Sequence, residues 1–262
     1  MTTKTNLESQ ETAAVISHTS TQNQGASIVR SPQKTARIAG VLYLILSIAS
    51  GWAFANLSSL VVHGDATATV SNLRAAEPLF RLGILSDLFG QAVFIFLALA
   101  LYKLLQPVNR NMARSMVILV IISVTLQSIS LLNQIAALLL LNGAGYLTVF
   151  NVEQLNALVL FFLNLHEAGF SVIAQIYFGL WLFPLAFLIY NSGFLPKFLG
   201  VLLIVAGLGY LFDVATFFLA PNFGVSVSQF TFIGELLLLL WLLIKGVNVD
   251  RWQERALATE SF

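Results

Sequence analysis

The chain has 262 residues, of which 58% are hydrophobic and only 10% are charged, with 13 Lys and Arg against 12 Asp and Glu. A soluble domain carries about 25% charged residues, so this composition excludes one and indicates a multi-pass membrane protein. A net charge of +1 without a basic tract predicts no nucleic-acid partner, and the lack of cysteine excludes disulfides, thiolate metal sites and cysteine nucleophiles.

Residues 1–33 are rich in Ser, Thr, Gln and Asn and contain few large apolar side chains. Such a segment cannot bury enough apolar surface to offset the entropy lost on ordering, so we predict a disordered polar tail. The first apolar run begins near Ile38 and extends about 20 residues, whereas a secretory signal peptide has a short apolar run near its start. We therefore interpret this run as a signal anchor that stays in the protein.

Six apolar segments are long enough to cross the roughly 30 Å hydrocarbon core as helices. They are residues 38–57, 82–104, 116–141, 168–190, 199–218 and 227–244. Pro184 falls within the fourth segment and predicts a kink there. The sequence thus predicts an all-α six-helix bundle over residues 34–246, followed by a short C-terminal tail at 247–262.

The segment 151–165 is apolar but too short to cross a bilayer, and it joins His166 with no turn residues between. We predict a short interfacial or re-entrant helix there, before span four. With six spans and the N-terminus inside, eleven Lys and Arg residues fall on the inner side and only Arg74 and Arg81 on the outer side. This asymmetry predicts that both termini are cytoplasmic.

Ionisable side chains within or at the ends of the spans are candidates for function, because they cost roughly 2.5 to 3.5 kcal/mol at mid-membrane. They are Arg81, Asp87, His166, Glu167, Asp213 and Glu235. The predicted topology places all six toward the extracytoplasmic side.

Neutral polar residues continue from these positions at helical spacing, which places each set on one helix face. The sets are Asp87 and Gln91; Gln127, Ser130, Asn133 and Gln134; Glu167, Ser171 and Gln175; Tyr210, Asp213 and Thr216; and Ser228, Thr231 and Glu235. Polar faces must turn away from lipid. We predict an outward-facing polar pocket with Arg81, Asp87, Gln91, His166, Glu167, Asp213 and Glu235 as ligand- or proton-binding candidates.

Structural roles for the same residues remain open. Arg81 is one turn after Glu77 and pairs with it if both lie at the headgroups, and Asp87 serves equally well as a hydrogen bonder between helices. His166 and Glu167 point about 100° apart on a helix, so only one of them enters a given site. The polar face of the third span is typical of interhelical packing.

Motifs that would assign chemistry are weak in this chain. There is no HExxH, no GxSxG, no GxGxxG and no Walker sequence. Ser86 or Ser130 with His166 and Asp213 supplies the residue types of a Ser-His-Asp arrangement without the nucleophile elbow. No metal site is assigned, and the catalytic residues and cofactors stay unknown. Titratable carboxylates in a membrane cavity are what a proton-coupled carrier needs.

Several runs resemble the bacterial integral-membrane family catalogued as domain of unknown function 4386. They are RIAGVLYLI, RLGILSDLFGQ, ALYKLLQPVNRN, LHEAGF and FGLWLFPLAFLIYNSGFLPKFLGVLLIVAGLGYLFD. The resemblance covers residues 34–246 and implies a multi-pass protein of the bacterial inner membrane, without an assigned activity. By that resemblance Arg81, Asp87, His166, Gly169 and Pro196 fall within the family's motifs.

Three functions from different classes fit these observations. We favour a carrier or binding protein for a small solute or proton, with its ligand entering from the extracytoplasmic side. The first alternative is an intramembrane enzyme that uses His166 with a carboxylate or a metal. The second is a membrane scaffold or assembly factor, in which the polar residues only hold helices together.

Overall fold

The computed structural model describes residues 31–143, 145–220 and 222–260. Their main elements, in chain order, are the helices α1 (Pro32–Leu60), α2 (Ala66–Ala75), α3 (Glu77–Leu105), α4 (Arg110–Asn142), α5 (Val152–Ser192), α6 (Lys197–Leu219), α7 (Ser228–Ile244) and α8 (Val249–Glu260). A 3-10 turn, Gly145–Val149, precedes α5. The predicted all-α bundle is confirmed. Of the polar tail predicted for residues 1–33, residues 1–30 lie outside the described residues, and Pro32 and Gln33 belong to α1.

The helix ends follow local sequence signals. Asn109 begins α4 by accepting hydrogen bonds from two backbone N–H groups of the first turn, and Asn151 with Gln154 forms a reciprocal capping box at the start of α5. Gly143 and Gly193 end these two helices in the left-handed conformation, which glycine adopts without a steric penalty. The long apolar helices are therefore delimited by specific residues.

Five helices, α1 and α3 to α6, are long and apolar enough to cross a membrane. The next helix, α7, has 17 residues and meets α8 at an angle of 100°, and the count reaches six if this bent pair is one broken span. The side of the membrane on which each terminus lies stays a prediction. The C-terminal segment predicted as a tail contains the helix α8.

Helix α5 corrects one expectation. The segment 151–165, predicted as a short interfacial or re-entrant helix leading into span four, runs without reversal into that span, so α5 has 41 residues and is about 60 Å long. A π-helical stretch, Gly169–Ala174, lies inside it. The helix is interrupted at Trp181, close to Pro184, which cannot donate a backbone hydrogen bond.

Two apolar cores fill the bundle. The larger core joins α1 and α3 to α7 and includes Trp181, Leu188 and Leu203. The smaller core, which includes Leu73 and Phe80, packs α2 against the C-terminal ends of α1 and α4 and the N-terminal ends of α3 and α5. α2 thus covers one end of the bundle.

A polar layer separates the two cores. Along α3, Ile84 belongs to the smaller core and Phe94 to the larger one, while Asp87 and Gln91 lie between them. α4 and α5 repeat this order, with a set of buried polar residues between the cores: Gln127, Ser130, Gln134 and His166. This layer contains the candidate site.

Candidate functional site

His166 is buried in the polar layer, and both of its ring nitrogens face polar atoms of α4. Nδ1 lies 3.2 Å from the hydroxyl and 3.2 Å from the backbone oxygen of Ser130, while Nε2 lies 2.6 Å from Gln134 Nε2. These contacts fit the tautomer with a proton on Nδ1, because Nε2 then accepts from the Gln134 amide. The ring is therefore held in one orientation.

Ser130 approaches α5 closely because residue 169 is glycine. A Cβ at Gly169 would lie 2.6 Å from Ser130 Oγ, which is too close for any real side chain. The Ser130 hydroxyl donates to the backbone oxygen of His166 at 2.8 Å. Its proton therefore points to a carbonyl, and the hydroxyl is not arranged to give that proton to the imidazole.

The Ser-His-Asp arrangement considered from the sequence is not assembled. The Ser86 hydroxyl donates to the backbone oxygen of Ala49 at 3.0 Å, and the Asp213 carboxylate binds the α6–α7 connection. The pairing of Ser130 with His166 thus lacks the third member that would orient a catalytic imidazole.

A cavity of about 50 Å³ lies against His166, between α1, α3, α4 and α5. Its polar lining consists of Ser50, Asn56, Asp87, Gln134 and His166. One water needs about 10 to 15 Å³ measured this way, so the space suits a few waters or a very small solute.

Asn56, which lines this cavity, carries a buried acceptor that is unsatisfied. Its Nδ2 donates to the backbone oxygen of Leu79 at 2.9 Å, but its Oδ1 is buried without a hydrogen-bond partner, and the residue is only 8% exposed. A buried acceptor left unpaired costs about 1 to 3 kcal/mol. Such an atom calls for an explanation, and a bound donor in the cavity supplies one.

Gln91 extends the polar layer one helical turn beyond Asp87. Its Oε1 accepts from the Ser128 hydroxyl at 2.6 Å, and its Nε2 has no partner within full hydrogen-bond geometry, although it faces the Asp87 carboxyl one turn earlier. The layer thus pairs Gln91 with the Asp87 carboxyl, and Asn56 Oδ1 is left as its unpaired acceptor.

Asp213 caps the start of α7. Its Oδ1 accepts from the backbone N–H of Val227 at 2.6 Å, and its Oδ2 accepts from the backbone N–H of Ser228 at 3.0 Å and from the Ser226 hydroxyl at 2.5 Å. A carboxylate at a helix N-terminus also interacts favourably with the helix dipole. The contacts give Asp213 a structural explanation.

Glu235 links three helices. One carboxylate oxygen accepts from the Tyr43 hydroxyl of α1, and the other accepts from the Tyr210 hydroxyl of α6 at 2.8 Å. Both oxygens of the acid are therefore engaged with side chains of the bundle, and the contacts tie α7 to its two neighbours.

Aromatic rings separate this cluster from the His166 cavity. Phe170 stacks beside His166 with ring centres 6.5 Å apart, Phe178 lies 5.8 Å from Phe170, and Tyr210 lies 6.3 Å from Phe178. Two phenyl rings thus stand in the row between the imidazole and the tyrosine that binds Glu235.

Glu167 and Arg81 lie at the surface of the bundle. Glu167 faces away from the His166 cavity and lies 3.9 Å from His63, with both side chains largely exposed. Arg81 pairs with Glu77 one turn earlier at 2.7 Å, which is the structural alternative considered from the sequence. Exposed pairs of this kind contribute at most about 1 kcal/mol.

The predicted pocket residues therefore divide among separate locations. Asp87 and His166 line one cavity, with Gln91 one turn away, while the carboxylates of Asp213, Glu235 and Glu167 have partners elsewhere. Sequence reasoning missed Asn56. An asparagine near the end of the mainly apolar first span was the available sign.

A metal site needs several ligating side chains that converge on one point. In the described portion, no group of three or more His, Asp or Glu side chains is placed to hold a metal ion. The candidate site is instead defined by a carboxylate, two amides and a fixed imidazole.

Apolar helices of membrane-spanning length, packed around a polar layer, define this molecule as a multi-pass helical membrane protein. A family model described as Domain of unknown function (DUF4386) matches residues 38–246, and the chain belongs to that family. It is 32% identical over 152 residues to an "Uncharacterized protein" of Archaeoglobus fulgidus, which covers 58% of this chain and 76% of that protein. No solved structure gives a significant match. The family resemblance is confirmed, and the bacterial inner membrane stays a prediction.

Proposed function

We propose that this protein binds and carries a small polar solute, and that the cavity beside His166 is its binding site. The observation that supports this proposal is the buried and unpartnered Oδ1 of Asn56, a residue that lines the cavity, together with the Asp87 carboxyl. A protein built only for stability gains nothing from a buried acceptor left unpaired next to a polar cavity.

The chemistry of the lining indicates the ligand class. Asn56 Oδ1 and the Asp87 carboxylate are acceptors, whereas the ring nitrogens of His166 are already engaged with α4. A ligand that presents several N–H or O–H donors complements these acceptors, and a positive charge would pair with the carboxylate. The volume of about 50 Å³ suits an ammonium-sized cation, or the amine end of a larger solute once the cavity opens.

The two alternatives have their own support. Asp87 and His166 line one cavity, which supports an acid-base enzyme, but both ring nitrogens already have partners. The contacts of Asp213 and Glu235 support the scaffold reading for those two residues. The unpaired Asn56 Oδ1 favours the binding function over both alternatives for the cavity itself.

Thermal unfolding of the purified protein in detergent tests the proposal. Ammonium and methylammonium chloride are compared with sodium chloride at equal ionic strength, for the unaltered chain, for Asp87→Asn and for the exposed-site control Glu167→Gln. We expect the amine salts to raise the melting temperature of the unaltered chain and the control, and to lose this effect in Asp87→Asn. Equal shifts in all three proteins would remove the basis of the proposal.

Uptake into liposomes separates a carrier from a binding protein. Vesicles with the unaltered chain are compared with vesicles carrying Asp87→Asn, with labelled methylammonium outside. Faster uptake with the unaltered chain alone supports transport. An increase in binding without uptake assigns the site to a receptor or sensor, and no difference in either measurement contradicts the proposal.

A further inference from the structure

The end of the bundle away from α2 contains a second organised feature. Three connections meet there: the start of α1, the α5–α6 connection at residues 193–196, and the α7–α8 connection at residues 245–248. An open cleft of about 340 Å³ lies between the last two.

Hydrogen bonds hold the connections that line this cleft. The Gln33 amide donates to the backbone oxygen of Lys245 at 2.9 Å and accepts from the backbone N–H of Val247 at 2.9 Å. Gly246 adopts a positive φ of 69° against this amide, and a Cβ there would collide with Gln33. The backbone N–H of Asn248 also donates to the Phe194 oxygen at 3.1 Å. The two connections are thus joined.

The cleft is basic. Lys245 and Arg251 line it together with Trp241 and Asn248, and no acidic residue is among its lining residues in the described part of the chain. Arg251 Nη1 donates to the backbone oxygen of Gly193 at 3.1 Å, which holds the guanidinium at the rim. A guanidinium has five donors, so most of them remain for an anionic ligand.

The cleft lies at the level where membrane spans end. Helix α7 ends at Ile244, and α8 then turns by 100° to run across the end of the bundle. Two contacts anchor α8 flat on the α3–α4 end: Trp252 Nε1 donates to the Leu104 oxygen at 2.8 Å, and the Thr259 hydroxyl donates to the Pro107 oxygen at 2.9 Å. A side chain at this level meets lipid headgroups.

An apolar surface continues from the cleft along the spans. Phe198, half exposed at the start of α6, packs edge to face against Trp241 with ring centres 6.0 Å apart. Free phosphate would use only the cations, whereas a phospholipid would also cover these rings with its acyl chains. The neighbouring rings favour a lipid.

We propose that this cleft binds the phosphodiester headgroup of an anionic phospholipid. Arg251 contacts two phosphate oxygens, Lys245 supplies a second positive charge, and the acyl chains lie along Trp241 and Phe198. Basic pockets at the ends of membrane helices hold anionic headgroups in this way. The site is separate from the solute cavity, so the proposal does not depend on the proposed function.

The test measures binding of phosphatidylglycerol by the purified full chain in detergent, with phosphatidylcholine and inorganic phosphate as comparison probes. We expect phosphatidylglycerol to bind more tightly and to raise the melting temperature more than phosphatidylcholine does. Lys245→Gln and Arg251→Gln should each weaken binding about fivefold. Arg251→Lys, which keeps the charge but not the paired donors, should retain part of the affinity.

Arg255→Gln is the matched control, since it removes a cation from α8 outside the cleft, and we expect it to leave binding unchanged. Equal binding of the two lipids would overturn the proposal. So would an Arg255→Gln loss as large as that of Arg251→Gln, because the attraction would then be a general surface charge. If inorganic phosphate alone reproduces the stabilisation, the lipid assignment is wrong.

Discussion

The His166 cavity and the Glu235 cluster both bury acidic and polar side chains in the same bundle, but they differ in how far their hydrogen bonds are satisfied. At Glu235, each carboxylate oxygen accepts from a tyrosine hydroxyl. At the cavity, the lining residue Asn56 has an Oδ1 without a hydrogen-bond partner. An ionisable residue in a membrane span is therefore a better candidate for ligand binding when its surroundings leave bonds unmade.

The largest loss of stability is expected at Asp213, whose carboxylate, like that of Glu235, has hydrogen-bond partners on both oxygens. Asp213→Ala removes the acceptor for two backbone N–H groups and for the Ser226 hydroxyl, so we expect a loss of roughly 2 to 4 kcal/mol in stability. Thermal or denaturant unfolding in detergent measures it. Asp213→Asn, which keeps one acceptor oxygen, should lose about half as much, and a stable alanine variant would show that the cap is dispensable.

Glu235→Leu should have the next largest effect. Interhelical hydrogen bonds in membranes contribute on average about 0.6 kcal/mol and at most about 1.7 kcal/mol each. Loss of the two tyrosine bonds therefore predicts a destabilisation of roughly 1 to 3 kcal/mol, without a change in the response to amine salts. Tyr43→Phe, which removes one of the bonds, serves as the partial variant. A ligand response lost at Glu235 would mean that the two regions are coupled.

Asn56→Leu should not lower the stability of the protein, unlike the substitutions at Asp213 and Glu235. Replacing a buried group whose acceptor is unpaired removes a desolvation penalty, although the bond from Nδ2 to Leu79 is lost too. We expect the free energy of unfolding of the ligand-free protein to stay the same or to rise by up to about 1 kcal/mol. The rise in melting temperature that ammonium causes should disappear. A clear loss of stability would show that Asn56 is a structural residue like Asp213.

The smallest effects are expected at the exposed pairs. Glu167→Gln and Arg81→Gln each remove one partner of a surface pair, and such changes stay within about 0.5 kcal/mol. Both variants should also keep the response to amine salts. A change in ligand response at Glu167 would place the site on the outer surface rather than in the cavity.

The sequence predicted the helices well because each apolar stretch must bury its backbone polar groups in a helix. It predicted 151–165 as an interfacial or re-entrant helix leading into span four, whereas the segment is the first part of one helix that continues without reversal. The hydrophobic length of a segment does not define the depth at which it lies. Helical spacing correctly placed Ser130 and Gln134 on the buried face of α4. The rotation of each helix and the angle at which helices cross decide which faces meet. Spacing along one helix does not contain this information, so it could not show that Asp87, Asp213 and Glu235 have different partners.

Tyr43 and Asn56 illustrate the remaining gap. Both are on α1, which carries no acidic residue, so a search that began from charges passed over them. Their importance comes from what they face: Tyr43 meets an acid 192 residues later in the chain, and Asn56 meets a cavity. Contacts of such long sequence separation are set by tertiary packing.

The π-helical stretch Gly169–Ala174 changes which face α5 presents to its neighbours, so the parts before and after it pack against different helices. A π-turn accommodates one more residue than an α-turn, so the helix after it is rotated by about 100° relative to an uninterrupted α-helix. The first part of α5 can therefore direct His166 toward α4, while the part that follows presents Gln175 to Asp213 of α6. If this stretch became α-helical with all of its residues kept, the part of α5 after it would turn by about 100°, and only one of these two partnerships could then form.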